Sequence, residues 1–133
     1  MVSDPAAEAQ ELLVDTIETF EKLEVVRALA RSAPRTRDAL AEELMLPQVV
    51  VRDTLRELAA HHIVGEASDG WRILATGPRY AATLALVEIY DRDRVGVLNR
   101  MTKIALERIR ADAARTFADA FVLRPKKKDD SDG

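Results

Sequence analysis

The apolar positions of the chain fall into blocks of different period, and each block predicts an element. Leu13, Ile17, Phe20, Leu23, Val26 and Ala30 recur at three- and four-residue steps. That is the stripe of an amphipathic helix, predicted over residues 9–33. Ser32-Ala33-Pro34 closes it, since the residue before a proline is pushed away from helical dihedrals. Thr36 reads as the N-cap of a second helix, with Asp38 in the first turn, where the helix dipole favours an acid. Leu40, Ala41 and Leu44 form its buried side. After the tight connection Met45-Leu46, Pro47 takes the first position of a third helix. Val51, Leu55 and Leu58 are its inner face, and it runs to about His61.

The period then drops to two. Ile63-Val64-Gly65-Glu66 and Trp71-Arg72-Ile73-Leu74 flank Asp69-Gly70, a strong hairpin signal. A hairpin this small must lean on helices. Beyond Thr76-Gly77-Pro78 the helical period returns and continues to about Val122 through Leu84, Val87, Val97, Leu98, Met101, Ala105 and Ile109. Gly96 marks a kink in it or a close approach by another helix. The chain is thereby divided into a flexible lead-in (1–11), a domain (12–76), a helical arm (77–122) and a disordered charged tail (123–133). In the tail, Lys126-Lys127-Lys128 precede Asp129, Asp130 and Asp132 and read as a solubilising segment.

The arm's stripe outruns the small core, so it calls for a partner surface. A second copy is the expected partner, because two-fold homodimers are the commonest oligomers. Leu84, Val87, Leu98, Met101, Ala105 and Ile109 are the predicted dimerisation residues. The competing arrangement folds this helix back on Ile17 and Phe20 within one monomer.

Composition narrows the function. The formal charge of -3 is uneven: residues 1–76 carry 8 basic against 14 acidic groups, and residues 77–133 carry 12 against 9. Without cysteine, disulfides and thiolate metal sites are excluded. Met1 to Ala9 lacks the basic start and apolar run of a secretory signal. The longest uncharged stretch of the arm, Tyr80 to Val87, is far below the roughly 20 residues of a bilayer span, so a cytoplasmic protein without a membrane partner is expected.

Nothing points to catalysis: there is no Gly-rich phosphate loop, nucleophile elbow or thiol. Glu42-Glu43 reads as a solvated helix side, and the neighbouring His61 and His62 diverge by about 100° on a helix, so they do not share a ligand. No enzyme activity, metal or cofactor is expected. Trp71 is expected to pack the hairpin against the first helix, and Tyr80 and Tyr90 to be core or interface residues in preference to lining an effector pocket.

The order helix, helix, turn, helix, hairpin resembles the winged helix-turn-helix fold. The residues that carry the likeness are Leu40-Ala41-Glu42-Glu43-Leu44-Met45-Leu46, then Val51, Leu55, Leu58 and Ile63-Val64. They are similar to the pattern of bacterial regulators of the MarR-like and related groups, which pair through a long helix after the hairpin. Two positions depart from that pattern. His62 stands where glycine is usual, and Gln48-Val49-Val50 open the third helix where Ser, Thr or Arg are common.

The resemblance implies a mainly α fold with a small β-hairpin wing, a winged helix-turn-helix followed by a long C-terminal dimerisation helix. It also implies a homodimeric transcriptional regulator that binds double-stranded DNA. In helix-turn-helix proteins the second helix of the motif enters the major groove with its N-terminal residues at base edges. Here it offers Gln48, Val49, Arg52 and Arg56, since arginine pairs with guanine, glutamine with adenine, and valine meets a thymine methyl. Thr36 and Arg37 are placed to contact phosphate, and Arg72 to reach the minor groove or a phosphate beside it. Two alternatives stay open. Asp53, Glu57, Glu66 and Asp69 neutralise these arginines as an ordinary solvated face. Alternatively, exposed Val49 and Val50 on an acidic domain make a protein-docking adaptor that does not bind DNA.

Overall fold

The computed structural model describes the backbone of residues 4–132 and the side chains of residues 4 and 6–121. It is mainly helical with one small antiparallel hairpin. In order, the elements are α1 (Pro5–Asp15), α2 (Phe20–Arg31), α3 (Arg37–Leu44), α4 (Gln48–Ala60), β1 (Val64–Ala67), β2 (Gly70–Ile73), α5 (Tyr80–Arg92) and α6 (Arg94–Asp132). The chain divides into two units, Met1–Met101 and Thr102–Gly133. Among the described residues, no helix is long and apolar enough to cross a membrane.

The single helix expected over residues 9–33 is two helices. The turn between them keeps the apolar phase, and Ile17 within it is fully buried. Thr16 closes α1, and the Thr19 hydroxyl caps α2 by accepting from the Lys22 N–H. Helix also replaces the frayed lead-in from Pro5 onward; residues 1–3 lie outside the described residues. Asp4 accepts from the Ala6 N–H, and Pro5 needs no partner at the first position, so the start is locally encoded.

In the first unit α2 is central. It packs on α3, α4 and β2, and also on α5, while α1 packs on α5. An element enclosed this way must be buried around most of its girth. Accordingly Lys22, Leu23, Glu24, Val25, Val26, Ala28 and Leu29 are all buried. Its two buried charges are both paired, as burial demands. Lys22 meets Glu18 at 2.9 Å and Glu57 at 3.3 Å. Burial pulls its pKa down, but these carboxylates more than offset that and hold it above the usual lysine value. Glu24 accepts from the Tyr90 hydroxyl, and from Arg94 at 2.8 Å. Arg94 also lies over the Tyr90 ring, 5.1 Å from its centroid. Burial and the Glu24 carboxylate together raise the Tyr90 hydroxyl to about 12.

The expected long arm helix is likewise interrupted, at Asp93 and not at Gly96. The Asp93 carboxylate accepts from the Gly96 N–H at 3.1 Å. A Cβ on Gly96 would come within 2.1 Å of that carboxylate, so the glycine admits a capping side chain and not another helix. α6 then runs past the expected end at Val122, and the backbone of the predicted disordered tail is helical to Asp132. The side chains of Lys126, Lys127 and Lys128 lie outside the described residues.

Candidate nucleic-acid interface

Three segments build the candidate site. The first is the start of α3, fixed by Thr36, whose hydroxyl accepts from the Ala39 N–H at 3.1 Å. The second is α4. The turn between the two helices has Met45 at φ 55, with the Leu46 N–H donating to Ala41 at 3.1 Å and the Met45 N–H to Glu42 at 3.4 Å. This is a left-handed helix end of the Schellman type, usually made with glycine. Pro47 stands one place earlier than expected, as the N-cap residue, and Gln48 opens the helix. α4 ends in the same way at His62, φ 60, with Ile63 donating to Leu58 and His62 to Ala59, both at 3.0 Å. Histidine thus takes the glycine conformation that the sequence pattern assigns to that position.

The hairpin is the third segment. Val64 pairs with Ile73, Gly65 with Arg72, Glu66 with Trp71 and Ala67 with Gly70. The turn is therefore Ser68-Asp69, and Gly70 belongs to β2 instead of the turn. Its φ of +132 and its approach to Arg35 both require glycine, because a Cβ would sit 2.8 Å from the Arg35 carbonyl oxygen. That approach lets Arg35 bridge Trp71 through two backbone hydrogen bonds of 3.0 and 2.8 Å. The hairpin is thereby tied to the residue just before Thr36.

Between these segments lies a cleft of about 590 Å³. Thr36, Arg37 and Asp38 line it from α3, Arg52, Leu55, Arg56 and Ala59 from α4, and Glu66 and Trp71 from the hairpin. The structure thus gathers Thr36, Arg37, Arg52 and Arg56 from two stretches of sequence. Gln48 and Val49 are exposed at the first turn of α4 and do not line the cleft, while Val50 is half-buried. Arg72 does not join the cleft either. Successive strand residues point to opposite faces, and Trp71 takes the cleft face. Arg72 instead holds Asp69 at 3.0 Å.

Trp71 is half-buried and lines the cleft, and its strand β2 packs on α2, which lies within the helix expected over residues 9–33. Asp38, Leu55 and Ala59 line the cleft beside the predicted residues, and from the hairpin sequence reasoning missed Trp71 and its cross-strand partner Glu66. The hairpin register is the signal that finds them. Arg52 pairs with Asp53 at 3.1 Å, whereas Arg37 and Arg56 make no ion pair with any described residue. Three arginines thus line one open cleft together with Asp38 and Glu66, and guanidinium groups are suited to bidentate contact with phosphate or guanine.

Family models, curated proteins and solved structures were compared with the chain, and none matches. Among the described residues no group of three or more His, Asp or Glu side chains is placed to hold a metal ion. His61 and His62 are both exposed, and Tyr90 is core.

The predicted dimerisation residues separate along the chain. Val87 and Met101 are buried by the chain's own helices, and Leu84 and Leu98 are half-covered. Within the chain, α5 packs on α1 and α2. Ala105 and Ile109 remain exposed.

Proposed function

We propose that the chain is a winged helix-turn-helix regulator that binds double-stranded DNA as a homodimer, a binding module without catalysis. α3 and α4 serve as the helix-turn-helix, with α4 the recognition helix and the hairpin the wing. One observation carries the reading: Arg37, Arg52 and Arg56 converge with the Thr36 hydroxyl on a single cleft beside the exposed start of α4. In this role Gln48, Val49 and Arg52 read base edges, while Thr36, Arg37 and Arg56 hold phosphate.

The test is fluorescence anisotropy of a labelled random duplex at about 50 and 200 mM salt. If Arg37 and Arg56 in each of two protomers each neutralise one phosphate, affinity falls on the order of 10²-fold between those salts. Arg52→Ala with Arg56→Ala should abolish binding. No binding by the parent protein at the lower salt would overturn the reading.

A second reading has its own support. Met45 is 89% exposed and Val49 49%, an apolar pair at the turn between α3 and α4 on an acidic domain. Exposed apolar clusters mark contact sites, which favours a winged-helix adaptor that docks a protein. A parent protein that ignores duplex at both salts, yet retains a partner in a pull-down that is lost on Met45→Asp with Val49→Asp, establishes that alternative.

A further inference from the structure

Two residues of the cleft have no use in contact with a duplex. Glu66 brings a carboxylate, which repels phosphate, and its side chain makes no ion pair or hydrogen bond with any described residue. Trp71 brings an indole, and the base faces of a duplex are stacked on one another and offer it nothing. The volume of about 590 Å³ falls in the range of sites that enclose a small molecule. Leu55, 1% exposed, and Ala59 add an apolar wall.

We propose that this cleft binds a guanine mononucleotide. The base stacks on Trp71 and donates its N1 and N2 hydrogens to Glu66, while Arg37 and Arg56 hold the phosphate. Glu66 and Trp71 are cross-strand partners, so they project from the same face of the hairpin. The backbone of Trp71 is fixed by its two hydrogen bonds to Arg35, which lowers the cost of ordering the ring around a ligand.

Each part of the ligand is selected by a group in the cleft. Arg52 is engaged by Asp53, which leaves the guanidinium groups of Arg37 and Arg56 for charge-assisted contact with phosphate. A carboxylate only accepts hydrogen bonds. Guanine sets two donors side by side, N1–H and the N2 amino group, to match its two oxygens. Adenine and cytosine instead set a ring-nitrogen acceptor beside their amino group, and that lone pair meets the carboxylate unfavourably. A duplex hides this edge in base pairing, so Glu66 distinguishes a free nucleotide from DNA. Because Arg37 and Arg56 also hold DNA phosphate in the proposed function, nucleotide and duplex exclude one another. That regulatory part rests on the DNA reading, whereas the nucleotide site does not.

Trp71 is the chain's one tryptophan, so its fluorescence reports on the cleft alone. Titrating the full protein with guanosine monophosphate (GMP) should quench it saturably, and calorimetry should return one site per chain. AMP, and guanosine without its phosphate, should each bind about tenfold or more weakly than GMP, as expected for loss of hydrogen bonds to charged groups. Arg37→Ala with Arg56→Ala should weaken GMP to the level of guanosine and leave guanosine itself unchanged. Glu66→Gln is the decisive variant. Its amide pairs an acceptor with a donor, which complements adenine, so it should prefer AMP to GMP. Loss of folding cannot produce that inversion. GMP at about ten times its own Kd should raise the apparent Kd for duplex about tenfold.

A parent protein that gives neither quenching nor heat with GMP, equal binding of AMP, or an unchanged preference in Glu66→Gln would each overturn the inference. The fluorescence titration contains no DNA and is read separately. A protein that takes GMP but ignores duplex loses only the DNA reading, and one that binds duplex but not GMP loses only the nucleotide site. If both bind and GMP does not displace duplex, the regulatory part falls.

Discussion

α5 and the part of α6 beyond Met101 carry the same kind of apolar spacing and meet opposite fates. In α5, Ala82, Thr83, Leu86, Val87 and Tyr90 are buried against the chain's own helices. From Thr102 to Phe121 every α6 residue except the half-covered Ile104 is exposed, Ile109 to 62% and Phe117 to 68%. The difference teaches that a periodic stripe announces a face to be covered and says nothing of what covers it. What decides is whether another element of the chain is within reach. α1 and α2 supply one for α5.

Substitutions can break the comparison or sharpen it. Leu86→Ala removes a fully buried side chain and should lower the free energy of unfolding by about 2–5 kcal/mol in urea titrations. A cost near zero would mean that α5 is not held as described. Next comes Tyr90→Phe, which deletes the hydroxyl that donates to Glu24 and should cost about 1.5–3 kcal/mol. Because folding raises this pKa from 10.0 to about 12, the protonated hydroxyl is the form that the fold favours. Its contribution is complete below pH 10 and declines as pH rises toward 12. Urea midpoints measured between pH 9 and 12 should therefore fall more steeply in the parent than in Tyr90→Phe.

Met45→Gly and His62→Gly should each stabilise by on the order of 1 kcal/mol, since both residues occupy left-handed backbone. Thermal melting would detect this, and Gly70→Ala should act in the opposite sense. The smallest effect belongs to α6. In protein dilute enough to be monomeric, Ile109→Ala should change unfolding by less than about 0.5 kcal/mol. A larger loss would show that this face is already covered within one chain.

Much of the fold was legible because its signals are local. Thr36 and Asp38 start α3, and the spacing of Val51, Leu55 and Leu58 lays out α4. The hairpin was also legible from its two β-prone runs. The break at Thr16–Thr19 was hidden because Leu13, Ile17 and Phe20 stay in helical phase across it, so periodicity could not see the turn. Thr19 was the available sign, as Asp4-Pro5 was for the start of α1. At the candidate site, Arg52 and Arg56 could be aligned from their four-residue spacing. Glu66 and Trp71 could not, since cross-strand register decides which strand residues face the cleft. Arg72, the next residue, falls on the other strand face by the same rule, and no local pattern announces the Arg35 bridge to Trp71.

That bridge also has a mechanical meaning. A two-stranded ribbon joined to the helices only at its ends would swing like a flap. Here two backbone hydrogen bonds lash it sideways to Arg35, and the next residues along the chain are Thr36 and Arg37. A push on the Trp71 ring is thus passed through the peptide of Arg35 to the first turn of α3. Ribbon and helix start move as one lever, and whatever fills the cleft meets a wall that yields as a unit.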